Sequence, residues 1–332
     1  LERLLATIAS PLQIKDATLS LSTSIGVSLY PLDDEDPDTL LRHADQAMYV
    51  AKQSGKNRFH IYDPTLDMRA RSQHEFIQAV RQGLEQGQFE LHYQPKIDLL
   101  SGRLAGAEGL IRWRHPERGL LYPAEFLRPV EGSELDIEIG DWVIGTALAQ
   151  LERWRGIGFD TEVSINISAH HLESRDFAER LRQQLQRHPD LPPGRLQIEV
   201  LETVGLNDVA IVREVIEASR QFGVRFALDD FGTGYASLAY LSSLPVDVLK
   251  IDQSFVRDML EDKGDMAIVQ GIIGLAQAFG RQLVAEGIES AAHYRALLDL
   301  GCRYGQGYHI ARPMPAEELP GWHADDTGKE RS

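Results

Sequence analysis

The chain reads as an α/β protein: a (β/α)8 barrel of the TIM type with an irregular, antiparallel first strand, preceded by a small α+β segment. Three observations lead there. Beyond residue 86, eight short apolar runs alternate with long helical patterns, the rhythm of strand and crossover helix. Five of those runs, AEGLIRW, LQIEVLE, FALDDFG, VLKIDQ and LVAEGIE, end on carboxylates, and barrels of this kind keep their chemistry at the C-terminal ends of the strands. At 332 residues there is room for one barrel and a smaller piece. A doubly wound open sheet is the alternative arrangement of the same elements.

Residues 1–63 follow their own pattern. A helix over Leu1–Ala9 precedes an alternating strand pair within Gln13–Tyr30, and Pro31–Pro37 is an acidic turn. In Thr39–Ser54, Leu40, Leu41, Ala44, Ala47, Met48 and Ala51 recur at helical spacing, with Gly55 as the C-cap. RFHIY is a last short strand. This α-β-β-α-β piece has too few strands to bury both faces of a sheet. The opening LERLLATIASPL reads as mid-helix, which suggests a piece of a longer protein whose upstream part could hold sensory or membrane segments. A linker helix over 64–80, within a polar helical pattern from Arg71 to Gln86, leads into the barrel.

Barrel strands are expected near 89–98, 104–113, 161–168, 195–202, 224–230, 247–252, 282–288 and 303–310. Helical patterns at Asp136–Arg155, Ser174–Arg187, Asp208–Phe222 and Asp265–Phe279 fill the main gaps. The first strand, FELHYQPKIDL, reaches the second through Ser101 and Gly102 with no helix between, so that pair should be antiparallel. The barrel region spans 72–320 and residues 321–332 form a polar tail.

A formal net charge of −16 argues against binding a nucleic-acid polymer through a basic face. The single cysteine, Cys302, excludes an intramolecular disulfide framework and a thiolate-rich metal site. No stretch approaches the ~20 apolar residues of a membrane span; the longest candidate, Ala267–Gly280, is interrupted by polar residues. The eleven histidines show no metal-ligand spacing such as HExxH, and His170–His171 reads as exposed loop.

Side chains alternate on a strand, so Glu108, Leu110 and Arg112 share one face, with Gly109 and Ile111 on the other. The same parity groups Ser164, Asn166 and Ser168, and selects Glu199, Asp229, Lys250, Asp252 and Glu286 on later strands. Two bare carboxylates about 4 Å apart repel by roughly 4 kcal/mol at an effective dielectric near 20. Converging Glu108, Glu199, Asp229, Asp230 and Glu286 would thus demand cations, and a divalent-metal site is the economical reading. Asn166 adds a neutral carbonyl oxygen suited to a hard ion. Asp230, Asp252 or Glu289 taken singly reads equally well as a helix N-cap. FGTGYASL is a weak phosphate cradle and a better mobile loop hinged on Gly232 and Gly234.

Taken together these residues resemble the EAL family of cyclic di-GMP phosphodiesterases, in a match running from about Ser72 to Pro320. YQPK (Tyr93–Lys96), AEGLIRW, the SINIS strand, the Glu199–Glu202 strand end, DDFGTGYASL, LPVDVLKID, AEGIE and GQGY fall in family order. The resemblance implies hydrolysis of cyclic di-GMP to linear pGpG, lowering a bacterial second messenger. It implies that Glu108, Asn166, Glu199, Asp229, Asp230 and Glu286 bind two Mg²⁺ or Mn²⁺ ions, with Ca²⁺ inhibiting. Glu286, Lys250 and Glu108 would be the catalytic set: Lys250 holds or activates the attacking water and Glu286 is a candidate base. Gln94, Leu110, Arg112 and Gln306 match substrate-contacting positions or their neighbours, and Glu202 matches the glutamate that steadies the glycine-rich loop, through hydroxyl or backbone donors with Thr233 or Ser237 nearest. It further implies a cytoplasmic homodimer formed through the barrel. One departure stands out, Glu-Gly-Leu in place of Glu-Ala-Leu, and Gly109 faces away from the site. Residues 1–63 resemble the C-terminal half of a GGDEF diguanylate-cyclase domain, through SIGVSLYP and ADQAMYVAKQSGKNRF. That family's glycine-rich hairpin and metal carboxylates would lie before Leu1, so this chain should not make cyclic di-GMP. A catalytically silent cyclic di-GMP receptor and another two-metal phosphohydrolase are the competing functional readings.

Overall fold

A computed structural model describes residues 1–14, 17–53, 55–202, 209–234 and 238–326. The chain divides into two compact units, Leu1–Gln82 and Gly83–Ser332, within the 22-residue helix Pro64–Glu85.

In the first unit a helix, Glu2–Ala9, precedes an antiparallel hairpin of Leu12–Ile14 with Ala17–Leu19. A third strand, Ile25–Val27, pairs in parallel with Phe59–Ile61 across the helix Pro37–Gln53. The strand pair expected within Gln13–Tyr30 is therefore three strands, because the last of them joins a β-α-β crossover rather than the hairpin. Gly26 makes that crossover close: a Cβ there would lie 1.9 Å from the Ala44 carbonyl oxygen on the helix.

The second unit is a closed barrel of eight strands. In chain order they are β1 (Phe89–Asp98), β2 (Leu104–His115), β3 (Val163–Asn166), β4 (Leu196–Leu201), β5 (Arg225–Phe231), β6 (Val248–Ile251), β7 (Gln282–Ala285) and β8 (Tyr304–Gly305). From β2 to β8 every neighbouring pair is parallel. β1 runs antiparallel to β2 on one side and to β8 on the other, closing the ring. The short strand Met314–Pro315 pairs with the first half of β1. As expected from the Ser101–Gly102 turn, no helix separates β1 from β2.

Two of the barrel helices, Lys263–Ala278 and Ala291–Asp299, start on side-chain caps. Asp262 accepts from the Gly264 and Asp265 amides, and Ser290 from the His293 amide. Asp252 likewise caps the short helix Gln253–Asp258, so the capping reading of that carboxylate holds. Ile198, Phe226, Leu228, Leu249 and Ile251 are fully buried on their strands, each contributing about 1.5–3 kcal/mol relative to exposure. Inside the ring Ala227, Val248 and Val284 meet, with Tyr304 packed against them. Phe89 stacks on Trp113 at 5.4 Å and meets Phe126 edge-on at 5.3 Å, on the outer face of the first hairpin.

Two strands are shorter than their apolar runs. β7 stops at Ala285 because Gly287 turns into the left-handed region (φ 68°). β8 has only two residues: beyond it Gly307 is pressed against the chain after β7, where a Cβ would lie 2.2 Å from the Ile288 amide nitrogen. His170–His171 is not exposed loop: His171 is completely buried under the helix Glu134–Gly156, with Nε2 3.2 Å from Asp141. The apolar stripe of that helix leaves a space at Gly140 that only an imidazole edge fills.

Among the described side chains of residues 1–63 only Ala47 and Ala51 are buried, whereas Leu32 and Leu41 are 87% and 71% exposed. Amide exchange across residues 1–60 should therefore be fast relative to β3–β7. Hydrogen exchange read by mass spectrometry checks this; protection equal to the barrel's in a demonstrated monomer would contradict it.

Candidate functional site

The carboxylates anticipated from strand parity converge at the C-terminal ends of the parallel strands. Glu108, Glu199 and Asp229 bring one oxygen each within 4.8 Å of one another, and so do Asp229, Asp230 and Glu286. Asp229 belongs to both groups. Asp230 reaches the site by an irregularity: strict alternation would turn it outward. The register between β5 and β6 shifts after Leu228, and Asp230 adopts φ 53°, so consecutive residues serve the same site.

Lys250 fills the centre. Its Nζ lies 2.5 Å from Glu199 Oε2, 2.6 Å from Glu286 Oε1 and 3.0 Å from Asp229 Oδ2, with Glu108 Oε2 at 3.5 Å. Three close carboxylates match the three N–H donors of an ammonium. Gln306 donates to Glu108 Oε2 at 2.5 Å and Glu286 Oε1 at 3.0 Å, and Asn166 donates to Glu108 Oε1 at 2.7 Å. Gln306 is held by the loop crossing already described, since the Ile288 amide donates to its backbone carbonyl.

Three further positions lie around this cluster. Gln94 is buried opposite Glu108 and donates to the Ala311 carbonyl. Leu110 is half-buried, two residues along from Glu108. Arg112 is buried and its guanidinium lies 4.9 Å over the ring of Tyr122, a residue with no signal in the sequence because it arrives from a loop. Gly109 faces Ile165 and Tyr93, away from the carboxylates.

Glu202 grips the glycine-rich loop through its backbone. Its Oε2 accepts from the amides of Gly232 at 2.8 Å and Gly234 at 3.1 Å. These are the backbone donors expected of that loop; of the two residues named with them, Thr233 donates its hydroxyl to the Asp230 carbonyl, and Ser237 lies outside the described residues. Lys96 is the residue that sequence reasoning passed over. It is buried, donates to Ser164 Oγ at 2.8 Å, and lies 3.7 Å from Glu199 Oε1. Its parity with Gln94 on β1 was the available signal.

The electrostatics describe a site short of positive charge. Burial and the neighbouring Glu108 push Glu199 up to about 7, against the pull of Lys250 and Lys96. Burial and Asp229 push Asp230 up to about 7 as well. Burial raises Glu286 well above the carboxylate range despite Lys250. Glu108 goes the other way: burial would raise it, but Lys250, Gln306 and Lys96 hold it at about 2. Glu199 Oε1 and Gln306 Oε1 are buried and accept no hydrogen bond. Two overlapping sets of oxygen donors, with orphaned oxygens and carboxylates driven toward protonation, fit a pair of hard divalent cations.

Comparison with known proteins places this geometry. Residues 77–313 match the EAL domain, and residues 1–58 match the diguanylate cyclase GGDEF domain. The chain is 38% identical over 319 residues to the bifunctional diguanylate cyclase/cyclic di-GMP phosphodiesterase MucR of Pseudomonas aeruginosa, covering 96% of this chain and 46% of that protein. It is 36% identical over 321 residues to the cyclic di-GMP phosphodiesterase PdeR of Escherichia coli, covering 97% and 48%. It thus spans about half the length of these curated relatives. Among solved structures, a MucR phosphodiesterase in complex with c-di-GMP superposes with a TM-score of 0.71 at 39% identity, over 74% of this chain and 99% of that one. The EAL enzyme Bd1971 in its cAMP- and cyclic-di-GMP-bound form gives 0.72 at 30% identity, over 87% and 76%.

The raised carboxylates set a pH dependence. Folded Glu199 and Asp230 hold protons to about 7, whereas unfolded carboxylates release theirs near 4. Their contribution to stability is full below the unfolded value and is lost as pH rises through about 7. The metal-free protein should therefore melt at lower temperature at pH ~8 than at pH ~5.5, and a divalent cation should flatten the slope by replacing the protons. Thermal unfolding in EDTA, with and without excess Mg²⁺, tests this; a melting point that rises over that window in EDTA would refute it.

Proposed function

The chain belongs to the EAL domain family, and on that premise we propose that its barrel hydrolyses one phosphodiester of cyclic di-GMP to give linear pGpG. The observation that carries this reading is the pair of acidic groups sharing Asp229 around Lys250. Relatives named as cyclic di-GMP phosphodiesterases, and a similar structure holding c-di-GMP, support it. Glu108, Asn166, Glu199, Asp229, Asp230 and Glu286 would hold two ions, and an all-oxygen donor set favours Mg²⁺ or Mn²⁺. Bound ions supply charge stabilisation at the scissile phosphate and at the departing 3′ oxygen, and make water more acidic near neutral pH.

The chain's own groups do the rest. Arg112, buried against Tyr122, pairs with a phosphate oxygen of the substrate. Gln94 and Leu110 line the same face of the first hairpin. Lys250 donates a hydrogen bond to the attacking water, and Glu286 takes its proton at a carboxylate oxygen. The water oxygen bonds to phosphorus as the bond to the 3′ oxygen breaks, and a proton ends on that oxygen. Gln306 orients Glu108 and Glu286 for this work. Residues 1–63 are the C-terminal part of a GGDEF domain, and residues 64–80 link it to the barrel. Among the described residues no helix is long and apolar enough to cross a membrane; a cytoplasmic homodimer is the setting we propose.

Incubation with cyclic di-GMP and Mg²⁺ or Mn²⁺, followed by chromatography, should yield pGpG; none over hours in either metal would overturn the enzyme reading. Ca²⁺, with longer bonds and looser geometry, should occupy the site and inhibit. Asp229→Asn and Glu108→Gln should each lower turnover by roughly a hundredfold or more while the fold, read by circular dichroism, persists.

Glu202→Ala removes the acceptor for the Gly232 and Gly234 amides without touching a metal oxygen. It should raise the Mg²⁺ concentration needed for half-maximal activity by about tenfold or more. An unchanged Mg²⁺ titration would show the loop to be a connector only.

A further inference from the structure

The opposite end of the barrel carries a second polar cavity. It occupies about 560 Å³ at the N-terminal ends of the parallel strands, within the range of small-molecule sites. Its walls hold four cations, Lys96, Arg103, Arg225 and Arg303, against two carboxylates, Asp98 and Glu162. Both carboxylates are already engaged. Asp98 takes Arg303 Nε at 2.8 Å, and Glu162 takes Arg225 at 2.7 Å. The Arg103 guanidinium has no carboxylate partner among the described residues, and Lys96 donates to Ser164 and lies 3.7 Å from Glu199 Oε1 deeper in the ring. A cation excess in the mouth of a chain with a formal charge of −16 runs against the whole-molecule balance.

A buried amide makes the same point independently. Gln197 lines this cavity at 2% exposure, and its Nε2 has no hydrogen-bond partner. A buried donor without an acceptor is unfavourable, and Lys96, its neighbour here, is itself a donor, with Nζ 3.4 Å from Gln197 Oε1. What the pocket lacks is an acceptor. Ala227, Val248 and Val284 pack between the mouth and the carboxylate cluster, and Lys96 touches both, lining the mouth while lying 3.7 Å from Glu199 Oε1.

We propose that the N-terminal mouth of the barrel binds a compact phosphate-class oxyanion, free or carried on a nucleotide, held by Lys96, Arg103, Arg225 and the Gln197 amide. The ligand's negative charge would match Arg103, the cation left without a carboxylate, and its oxygens would satisfy the orphaned donor.

Pyrophosphate titrated into the metal-free, full-length chain and followed by ³¹P NMR is the test. A saturable shift is expected, weakened about tenfold or more by Arg103→Ser or Lys96→Met, and unchanged by Arg112→Ala at the other end of the barrel. Arg103 is exposed, so its variant decides the matter even if Lys96→Met fails to fold. Uridine diphosphate run in parallel separates the two sources: equal affinity assigns the free oxyanion, tighter binding the nucleotide-borne one. Absence of saturable binding, or binding lost in Arg112→Ala and kept in Arg103→Ser, would overturn the proposal.

Discussion

One ammonium sets the terms for the rest of the barrel. Lys250 is buried among four carboxylates, three of them within 3.0 Å. Each opposite-charge contact near 4 Å contributes about 4 kcal/mol at an effective dielectric near 20, and each like-charge pair costs a similar amount. A single cation cannot balance Glu108, Glu199, Asp229, Asp230 and Glu286, so protons make up part of the deficit. Glu199 and Asp230, raised to about 7, record that shortage. Removing one partner from such a nest would leave the others buried and uncompensated, which is why these positions act as one unit.

The fold delivers this arrangement by parity and by its exceptions. Alternation along β2, β4, β5 and β6 sends Glu108, Glu199, Asp229 and Lys250 into the ring. The bulge in β5 adds Asp230, which alternation alone would waste on the outside. Glu202, just past the end of β4, then ties down the loop that leaves β5. The reversed direction of β1 matters too: it carries Gln94 level with Glu108 while its later residues, Lys96 and Asp98, descend toward the other end.

Most of the barrel was legible because five of its eight strands announced themselves twice, by an apolar run and by a carboxylate at one end. The antiparallel β1–β2 pair was legible from a missing helix. What was not legible depended on distant backbone. The ends of β7 and β8 are set by Gly287 and by the contact of Gly307 with Ile288, which no local pattern encodes. Lys96 looked like part of a motif, and its approach to Glu199 exists only because β1 and β4 face each other across the ring. Glu202 was read as steadying the loop through hydroxyl or backbone donors, and the Gly232 and Gly234 amides supply the backbone ones; which amides face it is set by the turn, and a string of residue letters does not display that. His171 was misread because its burial depends on Gly140, thirty-one positions earlier.

The way the ring closes has a consequence for how the protein is made. β1 is sealed on one edge by β2, its neighbour in sequence, but on the other by β8 and by Met314–Pro315. A chain emerging from the ribosome therefore carries an unsealed strand edge through more than two hundred further residues. Until Gln306 has been synthesised, Glu108 also lacks one of its two amide donors. Exposed edges of this kind recruit other chains, so the nascent barrel is at its most sticky just before its last two short strands arrive.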